Sequence, residues 1–144
     1  MRLLKTTMML ACVALVAAVV ATAGGTALKV EKTSIGKVIA KSNGHTLYMF
    51  RADKGPTSSC YGQCTTYWPP LLTSGKPVAA PGIKASLLGT TMRKDGKLQV
   101  TYKKHPLYTF FEDSKPGQTT GEGLKDFGAS WYALTPTGVT IDRN

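Results

Sequence analysis

No G-x-S-x-G, no H-E-x-x-H and no phosphate-cradling glycine loop occurs in the 144 residues. That removes the common hydrolase, zinc-protease and nucleotide-binding signatures. Histidine occurs twice and cysteine three times. The pair Cys60 and Cys64 is spaced C-x-x-x-C, so the thioredoxin-type C-x-x-C motif is missing. No histidine follows Cys64, which excludes covalent c-type haem attachment. Acidic residues are scarce, 8 Asp and Glu against 18 Lys and Arg, and the lysines stand singly or in pairs with no polybasic run. No segment sustains a helical period over about ten residues, so a helical architecture is excluded.

The N-terminus is the one long apolar stretch. Arg2 and Lys5 precede an uncharged run from Met8 to Ala23, which ends in the small-x-small pattern Ala21-Thr22-Ala23. As a helix that run would span roughly 24 Å, short of a hydrocarbon core of about 30 Å. We read residues 1–23 as a signal peptide and 24–144 as a single exported domain, periplasmic or secreted, with no stable transmembrane segment after cleavage. An uncleaved N-terminal segment that holds the protein at the membrane is the alternative. Cys12 precedes most of the apolar run, so it reads as part of the discarded signal rather than as a lipidation site. Loss of Arg2 and Lys5 takes the formal charge from +10 to +8. Such a charge suits nucleic acid, anionic lipid or an anionic wall polymer. An exported chain rarely meets nucleic acid, so an anionic envelope polymer or lipid surface is the expected partner. A solvated basic face is the plainer reading.

The mature part contains an internal repeat. His45-Thr46-Leu47-Tyr48-Met49-Phe50-Arg51-Ala52-Asp53 returns as His105-Pro106-Leu107-Tyr108-Thr109-Phe110-Phe111-Glu112-Asp113, and a tryptophan follows each copy, Trp68 and Trp131. The two pseudo-repeats cover about 35–72 and 85–140. Ahead of them, Gly24 to Ala27 reads as a frayed terminus. From Ile35 onward the pattern is strand-like, with hairpin turns at Asn43-Gly44 and Asp95-Gly96. In the strand Thr46 to Phe50, Leu47 and Met49 share one face and Tyr48 and Phe50 the other, so both faces should be buried. Cys64 to Tyr67 allows one helical turn, which Trp68-Pro69-Pro70 ends. Thr73 to Gly82 reads as a surface connection between the halves, and Ser114 to Gly128 as a polar loop. Lys103-Lys104 should make a different turn from Asn43-Gly44, because lysine tolerates positive φ poorly. The fold class is all-β, two related antiparallel halves of short strands and hairpins.

Each candidate site has a structural and a chemical reading. Tyr48, Phe50, Asp53 and Trp68, with Tyr108, Phe110, Asp113 and Trp131, are either core and turn-capping residues or a ligand pocket present once per repeat. A buried indole N–H needs a partner, which an aspartate or tyrosine could supply. We favour the structural role, since residues that determine the fold must persist in both copies. In an oxidising compartment Cys60 and Cys64 are expected to form a disulfide, worth about 2 kcal/mol for so short a loop. No cofactor is expected. The rival reading is a copper or thiol-redox protein in which Cys60, Cys64 and His45 hold soft Cu(I); His105 opens the second copy at the position of His45.

The motif H-T-L-Y-M-F-R-A-D followed by C-Y-G-Q-C-T-T-Y-W-P-P-L, and its second copy with D-G-K-L-Q-V-T-Y and H-P-L-Y-T-F-F-E-D, resembles a bacterial secreted repeat family marked by Tyr-x-(Phe/Trp/Tyr)-x-x-Asp. The resemblance covers roughly Ile35 to Val139 and implies no known activity. Many relatives resemble lipid-anchored proteins with a cysteine at the mature N-terminus, a feature this chain lacks. The functional expectation is an exported, non-enzymatic binding or structural module.

Overall fold

Strand pairing begins earlier than the hairpin signals indicate. The computed structural model describes residues 24–141; the expected signal peptide and Cys12 lie outside the described residues. Strand β1 (Ala27–Thr33) pairs antiparallel with β2 (Gly36–Lys41), in register from Leu28↔Lys41 to Thr33↔Gly36. This corrects the expectation that strands start at Ile35. The alternation of Leu28 and Val30 with Lys29 and Glu31 is the signal for β1, since side chains on a strand alternate between faces.

The remaining elements are β3 (Tyr48–Phe50), the helical turn α1 (Cys64–Tyr67), β4 (Val78–Ala79), a single 3-10 turn (Ala85–Leu87), β5 (Leu88–Met92), β6 (Leu98–Tyr102), β7 (His105–Pro106), β8 (Lys125–Asp126) and β9 (Ala129–Ala133). They form three small sheets in the orders β2-β1-β4, β3-β9-β8 and β5-β6-β7. The fold is all-β, as expected. Among the described residues no helix is long and apolar enough to cross a membrane. The connection from Thr73 to Gly82 is more than a surface link, because β4 within it adds to β1 as a parallel strand.

Turn chemistry explains the hairpins. Gly44 takes φ +88° and donates its N–H to the Lys41 carbonyl at 2.8 Å, while Lys41 N–H donates to the His45 carbonyl at 2.9 Å. This is a three-residue loop that ends in a left-handed glycine. Lys94-Asp95-Gly96 repeats it between β5 and β6, with Gly96 at φ +81°. Lys103-Lys104 does make a different turn, but for the opposite reason to the one expected: both lysines adopt positive φ, +47° and +64°. The register Tyr102↔His105 leaves only two loop residues, and a two-residue loop that matches strand twist requires positive φ at both. Lys103 is held by its N–H bond to the Leu87 carbonyl at 2.9 Å.

The strand around β3 divides the core. Leu47 and Met49 face a cluster with Leu28, Ile39, Val100 and Leu107. Tyr48 and Phe50 face a second cluster with Trp68, Tyr108, Phe110 and Trp131. The two halves meet where Tyr48 N–H donates to the Tyr108 carbonyl at 2.8 Å and Tyr108 N–H donates back to the Tyr48 carbonyl at 3.0 Å. The tryptophan segments then cross over. β9 of the second half pairs with β3 of the first, Phe50↔Trp131. In return Thr109 N–H donates to the Pro69 carbonyl at 2.9 Å and Phe111 N–H to the Tyr67 carbonyl at 3.0 Å. Each half is completed by the other.

Candidate functional site

The structure brings the repeated motif residues together at this crossing. Tyr48 donates its hydroxyl to Asp113 Oδ2 at 2.6 Å, and Tyr108 donates to Asp53 Oδ2 at 2.8 Å. Each tyrosine therefore bonds the aspartate of the other copy. Both aspartates also close their own loops. Asp53 Oδ1 accepts Ser59 N–H at 2.7 Å, and Asp113 Oδ1 accepts Thr120 N–H at 3.0 Å and the Thr120 hydroxyl.

The rings pack with the same pseudo-symmetry. Trp68 and Trp131 stack on one another with centroids 4.0 Å apart and planes 5° from parallel. Phe50 stacks on Trp131 at 4.0 Å, and Phe110 lies against Trp68 at 4.3 Å. Tyr48 meets Trp68 edge-on at 5.4 Å, as Tyr108 meets Trp131 at 5.1 Å. Both tyrosines and both tryptophans are fully buried. Burial pushes both phenols up, and the partner carboxylates push in the same direction, so each hydroxyl stays protonated and donates.

Two residues that join this centre have no trace in the motif. Asp126, on β8, accepts Trp68 Nε1–H through Oδ2 at 3.3 Å and Trp131 Nε1–H through its backbone carbonyl at 3.2 Å. The indole partner is thus outside the repeat unit. Arg93 is nearly inaccessible and lies between the halves. Its Nη1 donates to Ser58 Oγ at 3.0 Å and Gln99 Oε1 at 2.8 Å, and Nη2 donates to the Cys60 carbonyl at 2.7 Å. Its plane lies over Tyr61 at 4.4 Å, and Nε stands 3.7 Å from Asp95 Oδ2. Ser58 and Tyr108 share a 2.6 Å hydroxyl contact. A continuous chain therefore runs from the Arg93 cation through Ser58 and Tyr108 to the Asp53 carboxyl. An arginine just before Asp95-Gly96, in a chain with few carboxylates, is the only local hint of it.

Asp53 is poised by this environment. Burial raises its carboxyl to about 6, against the opposing pull of Ser59 N–H, the Tyr108 hydroxyl and Arg93. Because the folded value lies above the unfolded one, the folded state holds the extra proton. The associated stability is fully present below about pH 4 and is lost as pH rises to about 6. For a partly exposed carboxyl this amounts to at most about 2 kcal/mol. Wild-type stability should therefore fall relative to Asp53→Asn across that window, as read by urea unfolding at each pH. Taking the difference between the two proteins cancels His105, whose value is lowered by burial and then by Arg51 and Lys103, so that it acts in the opposite sense.

Cys60 and Cys64 are joined as a disulfide with Cα atoms 5.4 Å apart, packed in the same cluster as Trp68 and Tyr108. Among the described residues no three His, Cys, Asp or Glu side chains are placed to share a metal ion, so His45 is not gathered with the two cysteines. His45 and His105 both stand at the ends of turns, partly exposed. The geometry can hold two carboxyls, two phenols and a buried cation in fixed hydrogen bonds. Each carboxyl and phenol is engaged by another protein group, and the Arg93 guanidinium is held through Nη1 and Nη2 while its buried Nε makes no hydrogen bond.

A family described as a secreted repeat of unknown function matches residues 29–72 and 89–135. No curated protein matches the chain, and no solved structure matches it.

Proposed function

The chain belongs to a secreted repeat family of unknown function, and from that premise we propose an exported, non-enzymatic binding module whose lysine-rich surface engages an anionic envelope polymer or lipid. One observation carries this reading. Glu31, Asp53, Asp95, Asp113, Glu122 and Asp126 are each occupied by an internal hydrogen bond or ion pair. The lysines at 37, 54, 76, 84, 94, 97, 103, 104, 115 and 125 are exposed. Positive charge is left facing solvent, where it steers anions.

Purified protein should be retained on anionic wall-polymer or lipopolysaccharide fractions at low ionic strength and released as salt rises, since the Debye length shrinks to about 10 Å at 0.1 M. Indifference to these fractions at low salt would overturn the proposal. The periplasm or the external medium is the proposed location, and fractionation of cells that make the full chain separates these from a membrane-held form.

The copper or thiol-redox reading competes for the same cysteines. Burial of Cys60 and Cys64, with the Cys60 carbonyl held by Arg93, favours a structural bridge. A thiol assay and metal analysis decide it. Oxidised, metal-free protein that takes up no Cu(I) after reduction removes that alternative.

A further inference from the structure

The two halves share the buried Tyr, Phe and Trp of the repeated motif but differ in the residue that follows its phenylalanine, and that difference helps form a site. Phe111 N–H donates to the Tyr67 carbonyl, and at the equivalent place Arg51 N–H donates to the Ser130 carbonyl, both at 3.0 Å. Phe111 thus corresponds to Arg51, and Tyr67 to Ser130. The scaffold needs no aromatic ring at either position, because the first half folds the same strand with an arginine. Even so, Phe111 is 51% exposed and Phe127 45% exposed.

Together with Tyr67, Leu124, Glu112 and Asp126 they line an open groove of about 280 Å³. The Tyr67 and Phe111 rings stand at 90° with centroids 4.9 Å apart, and Phe127 flanks Tyr67 at 6.0 Å. Phe127 also holds its exposed ring at φ +54°, in the two-residue turn that joins Asp126 to Ala129. Asn, Asp and Gly suit that position, whereas a bulky residue is strained there. The two-residue turn at Lys103-Lys104 takes the same backbone conformation without an aromatic ring, so the turn itself does not call for one at Phe127.

Charge selects the ligand. The chain carries a formal +10, yet the charged side chains lining this groove are the carboxylates of Glu112 and of Asp126, whose Oδ2 also accepts the Trp68 indole N–H. Ring faces and carboxylates both attract cations. Hard metal cations favour oxygen-only shells, and primary ammonium groups are strongly hydrated. A cation clothed in methyl groups satisfies rings and carboxylates together. We propose that the groove between Tyr67, Phe111 and Phe127 binds an alkylated ammonium group of the choline type. This is a second site, independent of the lysine-rich surface.

The test titrates the intact protein with choline and with 3,3-dimethylbutan-1-ol, its neutral isostere, following the aromatic resonances of the groove. Choline should bind roughly fivefold to tenfold more tightly than the isostere. Glu112→Gln should weaken choline and leave the isostere unchanged. Phe111→Arg borrows the residue that the first half already accommodates, so the fold should survive while choline affinity drops. Phe127→Asn should raise Tm by removing the backbone strain and weaken choline binding at the same time.

Equal affinity for the isostere would overturn the proposal. So would choline affinity unchanged in both ring variants, or resonances that move with protein concentration alone, which would mark a self-association patch. Vesicles of phosphatidylcholine separate the sources of the ligand. Retention that free choline competes away supports a lipid headgroup, and choline binding without vesicle retention supports a soluble one.

Discussion

Asp113→Ala is expected to lower the unfolding free energy by about 3 kcal/mol, more than the usual cost of one lost hydrogen bond. Asp113 is 4% exposed and accepts from the Tyr48 hydroxyl, the Thr120 N–H and the Thr120 hydroxyl. Alanine removes every acceptor at once and strands donors in a cluster with little access to water. The Tyr48 hydroxyl keeps only a 3.3 Å contact from Gly121 N–H, in which it is the acceptor. Tyr48→Phe is milder, about 1–2 kcal/mol, because Thr120 still satisfies the carboxylate. The double variant should cost less than the sum, and that coupling identifies the Tyr48–Asp113 bond itself. Urea unfolding of the four proteins measures it. If the melts stay in place while binding to an envelope fraction is lost, the motif is a ligand site and its scaffold role falls.

Arg93→Met carries the second large effect, about 3–5 kcal/mol, typical of breaking a buried charge network by removing one partner. The loss leaves Gln99 Oε1 and the Cys60 carbonyl without their arginine donor, while Ser58 Oγ keeps the Cys60 N–H and its contact with the Tyr108 hydroxyl. Arg93→Lys should not rescue it, because one ammonium cannot reach Ser58 and the Cys60 carbonyl as the planar guanidinium fork does. Unfolding curves give the stability. The rate at which dithiothreitol reduces Cys60–Cys64 gives a second readout, expected to rise in both variants as the loop loosens. A variant as stable as wild type, with unchanged reduction, would show that this arginine is incidental to the centre.

The local chemistry of the chain was readable from its sequence. Asn43-Gly44 and Asp95-Gly96 announced their turns, because a left-handed glycine has few uses elsewhere. Period two in Leu47 to Phe50 correctly placed large side chains on both faces of a buried strand. β1 was equally legible in the alternation of Leu28 and Val30 with Lys29 and Glu31, although it lies outside the repeated motif. Non-local matters left no pattern. Nothing near Tyr48 announces a bond to Asp113, 65 residues away, nor near Trp68 one to Asp126, 58 residues away. The repeat located the important residues, but whether each copy closes on itself or on its twin depends on path, which short spacings do not encode. The aromatic groove was missed because it lies where the copies disagree, at Phe111 against Arg51.

The crossing of the tryptophan segments also governs when this chain can fold. Tyr48 has no partner for its hydroxyl until Asp113 is present, and Phe50 has no ring to stack on until Trp131 arrives. Loop-closure entropy must be met before such distant contacts return anything, which makes the search slow. The β1–β2 hairpin can close locally, but the strand Tyr48–Phe50 stays without its neighbour until residues near Ala133 are present. Closure of the last strand then completes both halves together.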